Sequence, residues 1–257
     1  MSQMKKVINQ LFPWLVPIGL LAAWQICSSA GLISSRILPN PIDIGKAAKE
    51  LWDSGQLAHH IGISTKRAAL GFLVGGGIGF LLGLWNGLSK TAEMLFDTSI
   101  QMVRNIPHLA LIPIVILWFG IEEGAKIFLV ALGTFFPIYL NTFHGIRSVD
   151  KGLIEMGKVY GLRGFALFRQ IIFPGALASI LVGVRYALGI TWVTLIVAET
   201  IASNSGIGYM AMNAREFMQL DVVVLSILLY AILGKLSDYL AKIAERRFLR
   251  WNPNLQR

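Results

Sequence analysis

Charged residues and cysteine are scarce in this chain, and their scarcity excludes several classes of protein. Asp, Glu, Lys and Arg make up 14% of the 257 residues, whereas roughly 25% is usual for a soluble domain. The one cysteine, Cys27, lies inside an apolar run, so there is no disulfide framework and no cysteine-based metal site. With 55% hydrophobic residues and a mean hydropathy of +0.63, the composition predicts a polytopic membrane protein.

A phosphate-binding loop is also absent, because no Gly-x-x-x-x-Gly-Lys-Ser/Thr sequence occurs in the chain. The net charge is +9, but Lys and Arg cluster in loops between apolar blocks and do not interleave with aromatic residues along one face. We therefore expect no ATP site in this chain and no nucleic acid partner. The spans also lack paired carboxylates, metal-spaced histidines and an activated nucleophile, which argues against a membrane-embedded enzyme with catalytic, metal-binding or cofactor-binding residues.

The apolar runs predict an all-α chain of about six transmembrane helices that forms one domain over residues 1–257. The first span, at about 12–30, is interpreted as uncleaved, because the uncharged run from Val7 to Ser35 is longer than the apolar region of a signal peptide. A polar amphipathic stretch up to Arg67 is expected to form an external loop with one or two surface helices. The core spans, within 68–241, are expected at 68–88, within 94–121, and at 127–143, 176–198 and 222–240.

The third span is the least regular. Asp97 and Arg104 interrupt its first half, and Pro107 and Pro113 lie in its second half. Two arrangements stay open: an interfacial helix over 93–104 before a short span, or one long helix that begins near residue 94 and breaks around Pro107.

The distribution of Lys and Arg predicts the orientation of the spans. The loop after the fourth span and the carboxyl-terminal tail are basic, whereas the loops after the third and fifth spans are acidic. By the positive-inside rule, both termini and the loop at 150–174 are cytoplasmic. The first external loop is a misfit, since its cations outnumber its carboxylates.

Small residues repeat every fourth position in two spans. Such a ridge allows a neighbouring helix backbone to approach closely in lipid. The second span carries the longer series, and the fifth span carries a shorter one that includes Gly183. The glycines of the longer series are Gly71, Gly75, Gly79, Gly83 and Gly87.

The stretch from Asp150 to Pro174 is the longest charged interruption in the second half of the chain. Its first part has apolar residues at helical spacing, which predicts an amphipathic helix of about three turns. These residues are Leu153, Met156, Val159 and Tyr160. Gly161 and Gly164 then allow a turn with positive φ, and a second helix is expected from Phe165 to Phe173. Two such helices suit either a groove in a soluble partner or the surface of an anionic membrane.

Four residues of this stretch have the spacing of the EAA loop of binding-protein-dependent ABC importer permeases, a family that this chain resembles: Glu155, Gly161, Ile171 and Pro174. Met156 and Gly157 replace two alanines of the family pattern, and Phe173 replaces a leucine. The resemblance implies a type I ABC importer permease fold, in which this loop is the cytoplasmic coupling helix that docks on an ATP-hydrolysing subunit. The residues implied in that coupling are Glu155, Gly161, Leu162, Arg163, Ile171 and Pro174.

The resemblance extends over nearly the whole chain and is greatest to the nitrate, sulfonate and taurine branch of the family, in segments at 101–121, 126–147 and 195–221. It implies import of aliphatic sulfonates as a sulfur source across the bacterial cytoplasmic membrane, with taurine, nitrate or another small anion as alternatives. The implied partners are two ATP-binding subunits that bind ATP and Mg, a second permease copy, an extracytoplasmic substrate-binding protein and the lipid bilayer. An autonomous secondary transporter is the competing class, but the spans lack midplane carboxylates and paired broken helices.

Arg185 is the residue that the sequence itself offers for an anionic substrate. It lies about 11 residues beyond Pro174, which is roughly 16 Å along a helix and near the middle of a hydrocarbon core about 30 Å thick. A lone cation at that depth faces either a water-filled path or a buried partner, and both interpretations stay open. Arg104 is the second candidate for the translocation path.

Overall fold

The computed structural model describes residues 15–32, 34 and 38–250, and in this part of the chain all regular structure is helical. The chain folds into eleven α-helices there, with one 3₁₀ turn, His108–Leu111, before α5 and one π turn, Phe168–Ile172, before α9. The helices are α1 Leu15–Ser29, α2 Pro41–Asp53, α3 Gln56–Leu88, α4 Lys90–Arg104, α5 Ile112–Phe119, α6 Glu123–Arg147, α7 Lys151–Val159, α8 Gly164–Leu167, α9 Phe173–Ile201, α10 Ile207–Glu216 and α11 Leu220–Phe248.

Among the described residues, four helical segments are long and apolar enough to cross a membrane: α3, α6, the continuous helix Gly164–Ile201 and α11. The pair formed by α4 and the helices at His108–Phe119 supplies a fifth crossing if it counts as one bent span. The predicted first span begins at residue 12, outside the described residues, and its described part is the apolar α1. The chain is therefore an all-α polytopic membrane protein.

The second span begins earlier than the sequence indicated. Residues before Arg67 were expected in an external loop, but α3 starts at Gln56, directly after Gly55 at φ +75°. A helix of 33 residues is about 50 Å long, so its first turns extend beyond a hydrocarbon core of about 30 Å. Only α2, whose amino terminus is capped by the Asn40 side chain, matches the expected surface helix.

The third span consists of two helices joined at a sharp bend, a geometry that both expected arrangements share. Helix α4 begins at Lys90, where Ser89 Oγ accepts a hydrogen bond from Ala92 N at 3.2 Å, and it ends at Arg104. The axis then bends by 80° before the helices at His108–Phe119. Pro107 lies in this break, where a residue without an N–H group removes no helical hydrogen bond.

Helix α3 packs against α6 along its glycine face. A side chain on Gly71 would lie 2.5 Å from Val130 Cβ, and one on Gly79 would lie 2.5 Å from the carbonyl oxygen of Phe135. Gly75 faces the backbone of Ala131 with no room for a Cβ atom. The other two positions, Gly83 and Gly87, meet α6 in the same way, and Gly183 on α9 meets α6 at Asn141. Helix α6 thus lies between α3 and α9.

Replacing Gly75 with valine is expected to destabilise the protein by about 3 kcal/mol, the upper part of the range for overpacked interiors. The neighbouring atoms belong to the α6 backbone, which cannot rotate away as a side chain can. Thermal unfolding of the purified protein measures the effect. Gly77→Val is the matched control, because no atom lies within 4 Å of its Cβ position. Equal unfolding temperatures for the two variants would contradict the close packing of α3 on α6.

Candidate functional site

The loop at 150–174 begins with a well-capped helix. Asp150 accepts hydrogen bonds through Oδ1 from Gly152 N at 2.6 Å and from Leu153 N at 3.4 Å, which satisfies two free amide groups at the start of α7. Helix α7 ends where Gly161 adopts φ +84°, a left-handed conformation that glycine takes without strain. Gly164, at φ +52°, then starts the next helix. The sequence predicted this helix–turn–helix because each of these signals is local.

The two arms of the loop close on each other through Gly157 and Ile171. The Ile171 side chain occupies the space where a Cβ on Gly157 would lie, and Leu167 contacts the same position. Beyond Ile171 the helix continues through Pro174 without a break. A π turn precedes Pro174, and its wider winding accommodates a residue that has no N–H group to donate. Ile171 and Pro174 therefore shape the loop from inside, whereas Glu155, Gly161 and Arg163 are exposed and Leu162 is half-buried.

The tip of the loop exposes large apolar side chains between cations. Val159 is 86% exposed, Tyr160 80% and Phe165 74%, and Lys158 and Arg163 are exposed beside them. The sequence placed Val159 and Tyr160 on the apolar face of α7, but it gave no sign that Phe165 extends this face across the turn. An exposed apolar patch with a polar rim is typical of a surface that binds another protein or a membrane.

A cavity of about 590 Å³ opens beside α9. Arg185 lines it, as do Asp238 on α11 and the pair His108 and Thr194. Its other lining residues are apolar. They are Leu109 and, on one face of α9, Val182, Tyr186, Gly189, Ile190 and Val193. Arg104, the second candidate for the path, is exposed at the end of α4 and is not among the lining residues.

Arg185 is paired within the chain. Its Nε donates to Asp238 Oδ1 at 2.5 Å, and Lys242 and Lys235 approach Asp238 Oδ2 at 3.1 and 3.6 Å. Three cationic groups thus surround one carboxylate, so the cluster has an excess of two positive charges. Nothing in the sequence indicated the contact between Arg185 and Asp238.

At the other end of the cavity, His108 Nε2 and Thr194 Oγ1 form a hydrogen bond of 2.9 Å. This bond joins the 3₁₀ turn to α9, and Gly133 on α6 lies directly behind the pair. The cavity is therefore cationic at one end, neutral and polar at the other, and apolar between them.

A second polar cluster is buried at the opposite end of the bundle from the loop. Arg67 and Glu199 are each 1% exposed, and Arg67 Nη1 donates to Glu199 Oε1 at 2.8 Å. The same guanidinium forms an ion pair with the exposed Glu123. Glu199 also accepts hydrogen bonds from Tyr230 Oη and Gly208 N, each at 2.9 Å. The sequence interpretation of Arg67 and Glu199 as external loop residues was wrong, because α3 and α9 extend past the expected span ends and bring the two charges together.

In the described part of the chain, no group of three or more His, Cys, Asp and Glu side chains could hold a metal ion.

Comparison with known proteins gives a consistent result. Residues 75–250 match the family model described as binding-protein-dependent transport system inner membrane component. The chain is 61% identical to the aliphatic sulfonates transport permease protein SsuC of Escherichia coli strain K12, covering 98% of this chain and 96% of that protein. It is 46% identical to the protein of the same name from Bacillus subtilis strain 168, covering 98% and 93% respectively.

A crystal structure of an amino acid ABC transporter with histidines superposes on this chain with a TM-score of 0.59. The superposition covers 78% of this chain and 97% of the other at 17% sequence identity. At that identity the likeness shows the fold alone.

Proposed function

The chain belongs to the family of binding-protein-dependent transport system inner membrane components, and from this membership we propose that it is the permease subunit of an ATP-driven importer of aliphatic sulfonates. The observation that carries the proposal is the 61% identity to the Escherichia coli sulfonate permease over 98% of the chain. A cavity that combines a cationic cluster with apolar walls supports the choice of an anion with an apolar part as substrate.

The loop at 150–174 is proposed as the docking site for two separate ATP-binding subunits, one on each permease copy. The exposed apolar tip at Val159, Tyr160 and Phe165 supports this role, since such residues fit a groove in a protein partner better than they fit water. Glu155, Gly161, Leu162 and Arg163 would contribute to the docking surface, while Ile171 and Pro174 would hold its shape. ATP and Mg²⁺ would bind to the partner and not to this chain.

A second permease copy is proposed on the face that carries Arg185. Its side chain is 42% exposed and that of Lys235 is 76% exposed, yet both lie well inside segments long enough to span the bilayer. A charge that faces lipid tails costs about 3 kcal/mol or more. Contact with a second copy across a water-filled path removes that cost. Arg104 is proposed as a second residue of the same path.

The orientation proposed for the importer has both termini and the loop at 150–174 in the cytoplasm of a bacterial cell, with the protein in the inner membrane. The opposite end would then face the substrate-binding protein. Support for this orientation comes from the cluster of Lys and Arg in the loop at 150–174 and in the carboxyl-terminal tail, since such clusters favour the cytoplasmic side.

The test is uptake in a bacterial strain that lacks its own sulfonate, taurine and nitrate importers. Expressed together with its ATP-binding subunit and binding protein, the chain is expected to support growth on alkanesulfonates as the sole sulfur source and to require ATP hydrolysis. The control lacks only the ATP-binding subunit. If cells took up taurine or nitrate but no alkanesulfonate, the proposed substrate would be wrong. If this chain supported uptake by itself, the proposed ATP-driven mechanism would be wrong.

A further inference from the structure

We propose that the cavity beside Arg185 is a binding site within the permease for molecules that have one anionic head group and a short unbranched apolar tail. In the bound state the head group takes the place of Asp238 on the Arg185 guanidinium, and the tail lies along α9 towards His108 and Thr194. The inference rests on the proposed function for the ligand class, and it adds a substrate site in the membrane to the one on the binding protein.

The charge cluster is arranged so that Arg185 can exchange its partner. Asp238 is bonded to Arg185 through Oδ1, and Lys242 lies 3.1 Å from its other oxygen. When a ligand head group accepts from Arg185, Asp238 keeps Lys242 as a partner, and Lys235 lies only 3.6 Å away. The exchange leaves neither Arg185 nor Asp238 without a partner. A charge left without a partner is what makes the breaking of a buried ion pair costly. The two excess positive charges favour an anion and disfavour a cation.

The apolar wall is long enough for a tail. Arg185 and Thr194 are about nine residues apart on α9, which is roughly 13 Å along the axis. Tyr186, Ile190 and Val193 line the space between them. Because His108 and Thr194 satisfy each other, the far end of the cavity requires no hydrogen bond from the ligand. Each methylene buried there is expected to increase affinity about fourfold.

Gly189 marks the middle of this wall. It lines the cavity, and no atom lies within 4 Å of the position that its Cβ would occupy. A larger residue would therefore project into the cavity without meeting the rest of the protein. Leucine at this position provides a test of ligand length, because it fills the path of a long tail and leaves the region next to Arg185 open.

The experiment measures binding of n-alkanesulfonates from methane- to octanesulfonate by calorimetry. The protein is the permease–ATPase complex in nanodiscs of zwitterionic lipid, without the binding protein. Wild type is expected to bind the longer sulfonates more tightly. In Gly189→Leu the ratio of octanesulfonate to ethanesulfonate affinity is expected to fall at least tenfold, whereas Gly77→Leu, on an exposed and open face of α3, keeps the wild-type ratio. Octylammonium, with the opposite charge, is expected not to bind.

Two charge variants separate a ligand site from a structural ion pair. Arg185→Gln is expected to weaken hexanesulfonate binding at least tenfold. Asp238→Asn is expected to strengthen it several-fold, because the head group no longer competes with a carboxylate for Arg185. If the ion pair has only a structural role, both variants are expected to bind hexanesulfonate more weakly than wild type or equally well. Weaker or equal binding by Asp238→Asn, or an unchanged length ratio in Gly189→Leu, would overturn the inference.

The outcome is distinguishable from failure of the proposed function. If intact cells take up alkanesulfonates but the complex without binding protein binds none of them, the membrane site is disproved and the importer stands. If the cavity binds octyl sulfate and octanesulfonate alike but cells take up no sulfonate, the site is supported and the assigned transport substrate is disproved.

Discussion

Replacement of Glu199 with alanine is expected to destabilise the permease by about 3–5 kcal/mol, the range for a buried ion pair that loses one partner. The change removes the acceptor for Arg67 Nη1, Tyr230 Oη and Gly208 N. Arg67, which is 1% exposed, then has only the exposed Glu123 as a carboxylate partner. Thermal unfolding of the purified protein and the yield of folded protein from membranes measure the loss.

Glu216→Ala is the matched control, since Glu216 is an exposed carboxylate at the same end of the bundle. The double variant Arg67→Ala with Glu199→Ala is expected to lose less stability than the sum of the single variants, because each single variant already breaks the Arg67–Glu199 ion pair. The predicted stabilisation by the Arg67–Glu199 cluster would be wrong if Glu199→Ala unfolded at the same temperature as Glu216→Ala. It would also be wrong if the losses of stability in Arg67→Ala and Glu199→Ala added up to the loss in the double variant.

Valine in place of Gly161 is expected to reduce ATP-driven uptake at least tenfold while the permease remains folded in the membrane. The residue has φ +84°, and a β-branched side chain there costs on the order of 1–2 kcal/mol. The loop can relieve that strain by changing the angle between α7 and α8, which separates the exposed Val159 and Phe165. Uptake and the amount of ATP-binding subunit that co-purifies with the permease are the measurements.

Gly62→Val serves as the control, because Gly62 lies inside α3 with ordinary helical φ, unlike Gly161. No atom lies within 4 Å of its Cβ position. It is expected to retain both uptake and the ATP-binding subunit. Full co-purification and wild-type uptake by Gly161→Val would show that the ATPase does not depend on the shape of this turn.

The loop at 150–174 could be predicted closely because its signals are local. Asp150 caps α7 with amide groups two and three residues away, and Gly161 ends the helix through its own backbone freedom. The exception is Phe165, whose exposure depends on how the second arm folds back onto Gly157. Likewise, the repeat of glycines in α3 predicted a close helix contact, but the sequence did not identify α6 as the partner.

Hydropathy and charge bias by themselves determined that this is an all-α membrane protein, and they located its long apolar helices and its charged loop. Those properties depend on short windows of residues and on transfer from water to lipid. The tertiary structure alone decided where the scarce charges inside the bundle find partners. Arg185 pairs with Asp238 across 53 positions, and Arg67 pairs with Glu199 across 132. Ion pairs between distant helices depend on packing angles and helix lengths, which no local pattern of residues encodes.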